Sequence, residues 1–150
     1  MYIYSPIGNI NENSVYLLNP VKNRILKNSY FVKLLFSNEN LTMNGIYIDI
    51  QINEPRIENA FNKYRCFFSL AKNKILIEKC KNIENMILKK YNTNKTKNSV
   101  IYNQLMKGCI ILSNCYPICK DNFILKISGI WETETEYGLS FKFININRLL

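Results

Sequence analysis

The chain has 150 residues, of which 47% are hydrophobic, and a formal net charge of +9. The length fits one domain over residues 1–150, and the apolar content excludes an intrinsically disordered chain. The charge favours a polyanionic partner, with nucleic acid ahead of an anionic membrane, although net charge also serves solubility alone. Abundant Asn, Ile, Lys and Tyr indicate an AT-rich genome, such as that of a large DNA virus, an insect-associated microbe or a protozoan.

The first half of the chain is predicted to consist mainly of strands, after a mixed stretch over residues 1–28. Residues 30–36 (YFVKLLF) form one predicted strand. In residues 45–52 (GIYIDIQI), isoleucines alternate with Tyr47 and polar residues, which is the period of a half-buried strand. This alternation predicts a core-facing row of isoleucines and an outward-facing Tyr47. Residues 64–77 (YRCFFSLAKNKILI) are predicted to form a hairpin with its tip at residues 71–74.

One helix is predicted clearly, over residues 78–91 (EKCKNIENMILKKY), because its apolar residues recur at helical spacing. Residues 92–99 form a polar, basic loop after it. Residues 100–107 (VIYNQLMK) fit a helix or a strand equally well, and residues 108–112 (GCIIL) form a short strand.

Two strong strands are predicted near the end of the chain, over residues 123–131 and 138–146. The order of several strands, one helix and further strands favours a mainly β fold, an OB-like five-stranded barrel with one helix between strands. An α+β sandwich is the alternative, and the central helix argues against an immunoglobulin-like domain.

Composition argues against an enzyme. The chain contains no histidine, which removes His-based acid–base catalysis, Ser-His and Cys-His pairs and His metal sites. We find no glycine-rich phosphate loop and no GxSxG motif, and no cofactor is expected. Glu132, Glu134 and Glu136 are evenly spaced, but they lie in a predicted turn and are expected to be solvated rather than to hold a metal.

The five cysteines are predicted to be free thiols in a reducing, intracellular compartment. Their number is odd, and the first residues, MYIYSPIGN, do not resemble a signal peptide. No apolar stretch is long enough to span a bilayer, so no membrane is expected as a partner. Cys109, Cys115 and Cys119 lie close in sequence but lack the second close pair of a structural zinc site, so buried, unpaired cysteines are expected.

The middle of the chain is both basic and aromatic. Residues 56–107 contain twelve Lys and Arg and three acidic residues, a difference equal to the net charge of the whole chain. Lys and Arg neutralise phosphates, and exposed rings stack on unpaired bases. This composition therefore favours binding of a single-stranded nucleic acid without sequence preference. The alternative is that the Phe side chains form a core and the Lys side chains a solvated face.

The C-terminal segment FILKISGIWETETEYGLSFKF (residues 123–143) resembles the closing hairpin of OB-fold single-stranded-DNA-binding proteins from large DNA viruses and phages. The resemblance covers about 25 residues and implies an OB fold, single-strand binding and a role in DNA replication or recombination. The chain departs from that pattern because it ends in Asn-Arg-Leu-Leu and not in an acidic tail, which puts recruitment of partners through such a tail in doubt. The matching residues are Lys126, Gly129, Ile130, Trp131, Gly138, Leu139, Ser140, Phe141 and Lys142.

These observations predict a sequence-tolerant single-stranded DNA-binding protein, with RNA left open as a ligand and a homo-oligomer left open as a state. If the source is viral, the host nucleus or a viral replication site is the expected location. The alternative function is a viral structural or host-interaction protein that binds no nucleic acid. The predicted binding residues are Tyr47, Tyr64, Arg65, Lys72, Lys74, Lys126, Trp131 and Lys142, with Trp131 either a stacking platform or part of the core.

Overall fold

A computed structural model describes residues 5–113 and 122–146 and is mainly β, as predicted. In these two ranges, two α-helices interrupt the strands, α1 (Lys74–Lys89) and α2 (Val100–Leu105). The strands within the described residues are β1 (Ser5–Pro6), β2 (Val15–Leu17), β3 (Val21–Lys22), β4 (Tyr30–Ser37), β5 (Thr42–Asn44), β6 (Ile46–Ile50), β7 (Arg56–Ala60), β8 (Lys63–Phe67), β9 (Thr96–Lys97), β10 (Cys109–Leu112), β11 (Phe123–Glu132) and β12 (Glu136–Asn145).

The strands form one large mixed sheet in the order β1-β6-β11-β12-β10-β8-β7. A branch leaves this path at β11, because β4 pairs with the second half of that strand and itself pairs with β2, β3 and β5. Within the described residues the sheet does not close on itself, so a barrel is not confirmed.

Most of the predicted elements are confirmed. The strand at residues 30–36 is β4, the alternating segment contains β6, and the two C-terminal strands are β11 and β12. The strand at residues 108–112 is β10, and the ambiguous segment at 100–107 contains helix α2.

The hairpin predicted over residues 64–77 is wrong. Strand β8 pairs with the preceding strand β7 and with β10, and not with the segment that follows it. A two-residue turn at Phe61 and Asn62, both with positive φ, joins β7 to β8. After β8 the chain forms a 3₁₀ turn and enters α1 at Lys74, four residues before the predicted helix start. The physical reason is that Leu76 and Ile77 lie one helical turn before Cys80 and are buried with it.

The core lies between one face of the central sheet and α1. Ile46, Ile48 and Ile50 of β6 are buried, as the alternation predicted. Directly opposite them on β11 lie Phe123, Leu125 and Ile127, which are also buried. Helix α1 covers this face with side chains at helical spacing, namely Leu76, Ile77, Cys80, Ile83, Ile87 and Leu88.

A buried carboxylate holds the two helices together. Glu84 of α1 is buried and accepts hydrogen bonds from the backbone N–H groups of Ile101 (2.8 Å) and Tyr102 (3.0 Å) in the first turn of α2. These two amides have no partner within their own helix, so Glu84 supplies the acceptor that a capping residue usually provides. Burial raises the pKa of this carboxyl, although the two amides and Lys97 partly oppose that shift.

The raised pKa makes the contribution of Glu84 to stability depend on pH. The folded state binds this proton more tightly than the unfolded chain, so the linked stability is present at low pH and is lost as pH rises through the folded pKa. We therefore expect the parent to become more stable relative to the Glu84→Gln variant as pH falls from neutral to mildly acidic. Urea unfolding of both proteins across a pH series measures this difference, and a difference that is constant or shrinks on acidification would contradict it.

Candidate nucleic-acid interface

Three predicted binding residues lie side by side on the face of the sheet that α1 does not cover. Lys126 of β11 lies opposite Tyr47 of β6 on one side and opposite Lys142 of β12 on the other. The Lys126 ammonium lies 5.2 Å from the centroid of the Tyr47 ring. Their neighbours along β6 and β11 point into the core, so the pleat directs these three side chains away from it. We call this side of the sheet the outer face.

The same row continues across the sheet beyond β12. Leu112 of β10 lies opposite Phe143 of β12 and both are buried, so Ile111 and Lys142 point to the outer face. Ile111 lies opposite Arg65 of β8, which in turn lies opposite Glu58 of β7. The outer face therefore carries an aromatic ring and three cations, Lys126, Lys142 and Arg65, in one line across the strands.

A cleft opens at the Arg65 end of this row. Strands β10 and β12 share a single register pair, at Leu112 and Phe143, so they separate towards Cys109, and α2 lines the space between them. The cleft has a volume of about 590 Å³. It is lined by Arg65, Phe67, Asn98, Val100, Asn103, Gln104, Lys107, Cys109, Ile111 and Phe141, none of which is acidic.

The cleft combines rings, cations and amides. Phe67 and Phe141 are both half-buried, and the Arg56 guanidinium lies 5.2 Å from the centroid of the Phe67 ring. Phe141 is held edge-to-face against Phe143, with 5.6 Å between ring centroids. Lys107 is exposed at the end of the α2 segment. A flat, apolar group bearing an anion fits these side chains, because rings and cations lie within one concave surface.

No protein family, curated protein sequence or solved structure matches this chain. The resemblance of the closing hairpin to viral and phage single-stranded-DNA-binding proteins therefore stays a prediction. The geometry of the chain's own residues carries the functional argument.

Four predicted site residues, Tyr64, Lys72, Lys74 and Trp131, lie away from the outer-face row. Tyr64 was predicted to face outward with Arg65, but neighbours on a strand point to opposite sides, and Tyr64 packs against the core. Lys72 and Lys74 were predicted at a hairpin tip, but they lie at the start of α1, where Lys72 forms an ion pair with Glu54. Both lysines were misplaced for the same reason, the early start of α1.

The basic middle of the chain is not one surface. Its lysines on α1 lie on the helix that packs against the core face, whereas Arg56, Arg65 and Lys107 lie at or beside the cleft. Sequence reasoning missed Phe141, Asn103 and Gln104 as site residues. The sequence does show two aromatic residues, Phe67 and Phe141, that could have indicated the site. They meet in one cleft only because β10 pairs with both β8 and β12.

The three described cysteines, Cys66, Cys80 and Cys109, are free thiols, as predicted; Cys66 and Cys80 are buried, whereas Cys109 is half-buried. Burial raises the pKa of Cys66 and of Cys80 to about 12, which keeps both neutral at physiological pH. Cys115 and Cys119 lie outside the described residues. Within the described ranges, no group of His, Cys, Asp and Glu is arranged to hold a metal ion, and no helix is long and apolar enough to cross a membrane.

The glutamates predicted to sit in a solvated turn have protein partners. Tyr91 donates its hydroxyl hydrogen bond to Glu132, and Asn28 donates to Glu134. Asn98 donates a longer hydrogen bond to Glu136. Glu134 is exposed, whereas Glu132 and Glu136 are half-buried because they lie within β11 and β12 on either side of the short turn.

Trp131 is tied to its own hairpin. The indole N–H donates a 3.1 Å hydrogen bond to the Leu139 carbonyl, and the ring lies over Gly138, where a Cβ would be 2.6 Å from Cζ2 of the indole. The side chain is half-buried. Gly138 is therefore required for Trp131 to pack across the β11–β12 hairpin, and at least part of the role of this tryptophan is structural.

Replacing Trp131 with Phe tests that structural role. The substitution removes the hydrogen bond to Leu139 and keeps an aromatic ring over Gly138, so we expect the unfolding free energy to fall by about 1 kcal/mol or somewhat more. Urea unfolding followed by far-ultraviolet circular dichroism measures the change, since the only tryptophan is lost. An unchanged unfolding midpoint would show that the indole contributes nothing to the hairpin.

Proposed function

We propose that this protein binds single-stranded DNA with little sequence preference and supports DNA replication or recombination, as a protein of a large DNA virus. The observation that carries the proposal is that the cationic row of the outer face ends at the aromatic cleft. Arg65 and Ile111 belong to both, so one strand of nucleic acid can contact the row and the cleft together.

The row is suited to phosphates. Lys126, Lys142 and Arg65 project from three different strands, and neighbouring strands in a sheet lie about 4.8 Å apart. Lys142 and Arg65 are exposed, while the stem of Lys126 is partly covered and its ammonium lies near Tyr47. A nucleic-acid backbone crossing these strands meets successive cations, and neutralising its phosphates releases counterions.

The cleft is suited to a base. A ring can stack against Phe67 or Phe141, and stacking is tolerant of sequence because every base has a π-face. Asn103 and Gln104 each carry a donor and an acceptor, so their amides can pair with the polar edge of any base. Lys107 and Arg65 lie where the attached phosphates leave the cleft.

The proposed face does not require a closed barrel. An OB-like arrangement remains a prediction, but the row depends only on the pairing of β6, β11, β12, β10 and β8, which an open sheet provides. We also propose a binding protein and not an enzyme, a view supported by the absence of histidine from the sequence.

Removing one phosphate contact is expected to change the salt dependence of binding. Lys126→Gln, Lys142→Gln and Arg65→Gln should each weaken binding of a fluorescent oligo-dT. Each should also flatten the slope of log affinity against log salt by about 0.7. Fluorescence anisotropy over a range of salt concentrations measures both quantities. Lys72→Gln is the matched control, because this lysine pairs with Glu54 away from the row, and its slope should equal that of the parent. Equal slopes for all four variants would rule out the row.

Removing a ring from the cleft is expected to weaken binding without changing the salt slope. Phe67→Leu keeps an apolar side chain but loses the stacking surface, and the loss per stacked base is about 1–3 kcal/mol. The anisotropy titration used for the row measures the loss, and a melting curve confirms that the variant folds. Phe31→Leu, also a half-buried strand aromatic but on β4, is the control. Parent-like affinity of Phe67→Leu would exclude the cleft, and equal affinity for duplex DNA would exclude single-strand preference.

A protein-interaction role is the second candidate, and a separate surface favours it. Val21, Ile25 and Leu26 expose apolar side chains on the loop that surrounds β3, and Ile25 is 91% exposed. A contiguous patch of exposed apolar side chains marks an interaction site in many proteins. The aromatic residues discriminate between the two roles, because a buried set would remove the stacking surface. All four aromatic residues of this comparison, Tyr47, Tyr64, Phe67 and Trp131, are half-buried. Tyr64 packs against the core and Trp131 packs across its own hairpin, so Tyr47 and Phe67 are the two that support the nucleic-acid proposal.

A further inference from the structure

Strand β7 (Arg56–Ala60) forms one end of the sheet. Among the described residues its only strand partner is β8, so no strand is hydrogen-bonded to its other edge. Four of its five side chains are exposed, and only Ile57 is half-buried. An edge of this kind is a template for pairing with another strand unless charge, proline or a bulge protects it.

The turn that joins β7 to β8 decides which backbone groups point outward. Phe61 (φ 53°) and Asn62 (φ 62°) both lie in the left-handed region, which is the conformation of a type I′ turn. In such a hairpin the flanking residues, Ala60 and Lys63, exchange hydrogen bonds with each other, and the pairs alternate from there. The N–H and C=O groups of Ile57 and Asn59 therefore point away from β8.

The charges along β7 are complementary to themselves. Arg56 and Glu58 lie two residues apart on the outer face, with Arg56 Nε 3.3 Å from Glu58 Oε1. When two copies of β7 pair in antiparallel fashion with Ile57 opposite Ile57, Arg56 of each copy lies opposite Glu58 of the other. Shifting the register so that Glu58 faces Glu58 places like charges together and puts Arg56 opposite Ala60. The charge pattern thus selects one register.

We propose that two copies of this chain associate through β7, in the register centred on Ile57. In that register the outward N–H of each Ile57 donates to the Ile57 carbonyl of the second copy. The N–H of each Asn59 donates to the Pro55 carbonyl of the second copy. Because proline has no N–H, Pro55 leaves no backbone donor unpaired at this position. The interface is small, so the dimer is weak and depends on protein concentration.

Phe61 supports the same pairing. The ring is fully exposed, and a bulky residue with positive φ is unusual. In the proposed register the turn of one copy lies alongside residues 53–55 of the other, where the Phe61 ring packs against that segment. The dimer therefore covers an aromatic side chain that the single chain leaves in water.

The two-fold axis of this pairing is perpendicular to the sheet. Both outer faces then lie on the same side, and the row ending at Arg65 and Glu58 continues into the second copy. This consequence rests on the proposed function, whereas the pairing itself does not. Its expected signature is that a dimer occupies a longer stretch of single-stranded DNA than a monomer does.

Sedimentation equilibrium of the full chain without DNA tests the pairing. We expect the mean mass to rise from that of a monomer towards that of a dimer as concentration increases. Arg56→Glu and Glu58→Arg should each weaken association by at least about tenfold, because each places like charges opposite one another. The double variant Arg56→Glu/Glu58→Arg restores the complementarity and should return the dissociation constant to within about threefold of the parent.

Two further variants make the test independent of folding. Asn59→Pro removes an outward N–H that β8 does not use, so the variant should melt like the parent but remain monomeric. Lys89→Glu reverses a charge at the end of α1, away from the edge, and should leave the dimer unchanged. A parent chain that stays monomeric at every concentration overturns the pairing, as does a charge-swapped double variant that does not recover. Because these measurements contain no DNA, their failure leaves the nucleic-acid proposal standing.

Discussion

The pairing of β11 with three other strands is the constraint on which the rest of the structure depends. Its first half pairs with β6, its second half pairs with β4, and β12 runs along almost its whole length. A register shift between Ile127 and Gly129 marks the point where the neighbour changes. Gly129 is required there, since a Cβ would lie 2.2 Å from the Val32 carbonyl oxygen. One strand thereby organises both the core face and the outer face.

The two faces of this sheet have different partners. On the core face, apolar residues of β6, β11 and β12 are covered by α1. Glu84 of α1 attaches α2 to this helix, because it accepts hydrogen bonds from two backbone N–H groups of α2. On the outer face, Lys142 and Arg65 are exposed, whereas Tyr47 and Lys126 are half-buried. Because α2 also lines the cleft between β10 and β12, the buried carboxylate that holds α2 helps to set the shape of the proposed binding surface.

Local periodicity predicted much of the fold correctly, while its failures share one cause. The isoleucine alternation of β6 and the spacing of apolar residues in α1 each reflect burial of one face, so they can be recognised without knowing the neighbours. The segment Ile75–Ile77 is apolar without interruption, and a short run of this kind fits a strand or a buried helix equally well. The wrong choice there displaced Lys72 and Lys74 from a helix start to a hairpin tip and paired β8 with the wrong strand.

The sequence by itself determined the mainly β class, the core face of β6, the position of α1 and the chemical character of a basic, aromatic chain without histidine. These features depend on residue type and on spacing within one segment. Only the tertiary structure decided that the sheet stays open over the described part of the chain, that Tyr47, Lys126 and Lys142 are neighbours, and that Phe67 and Phe141 line one cleft. The physical reason is that strand order and register arise from pairing between residues far apart in sequence, and no local pattern encodes which strand a given edge will meet.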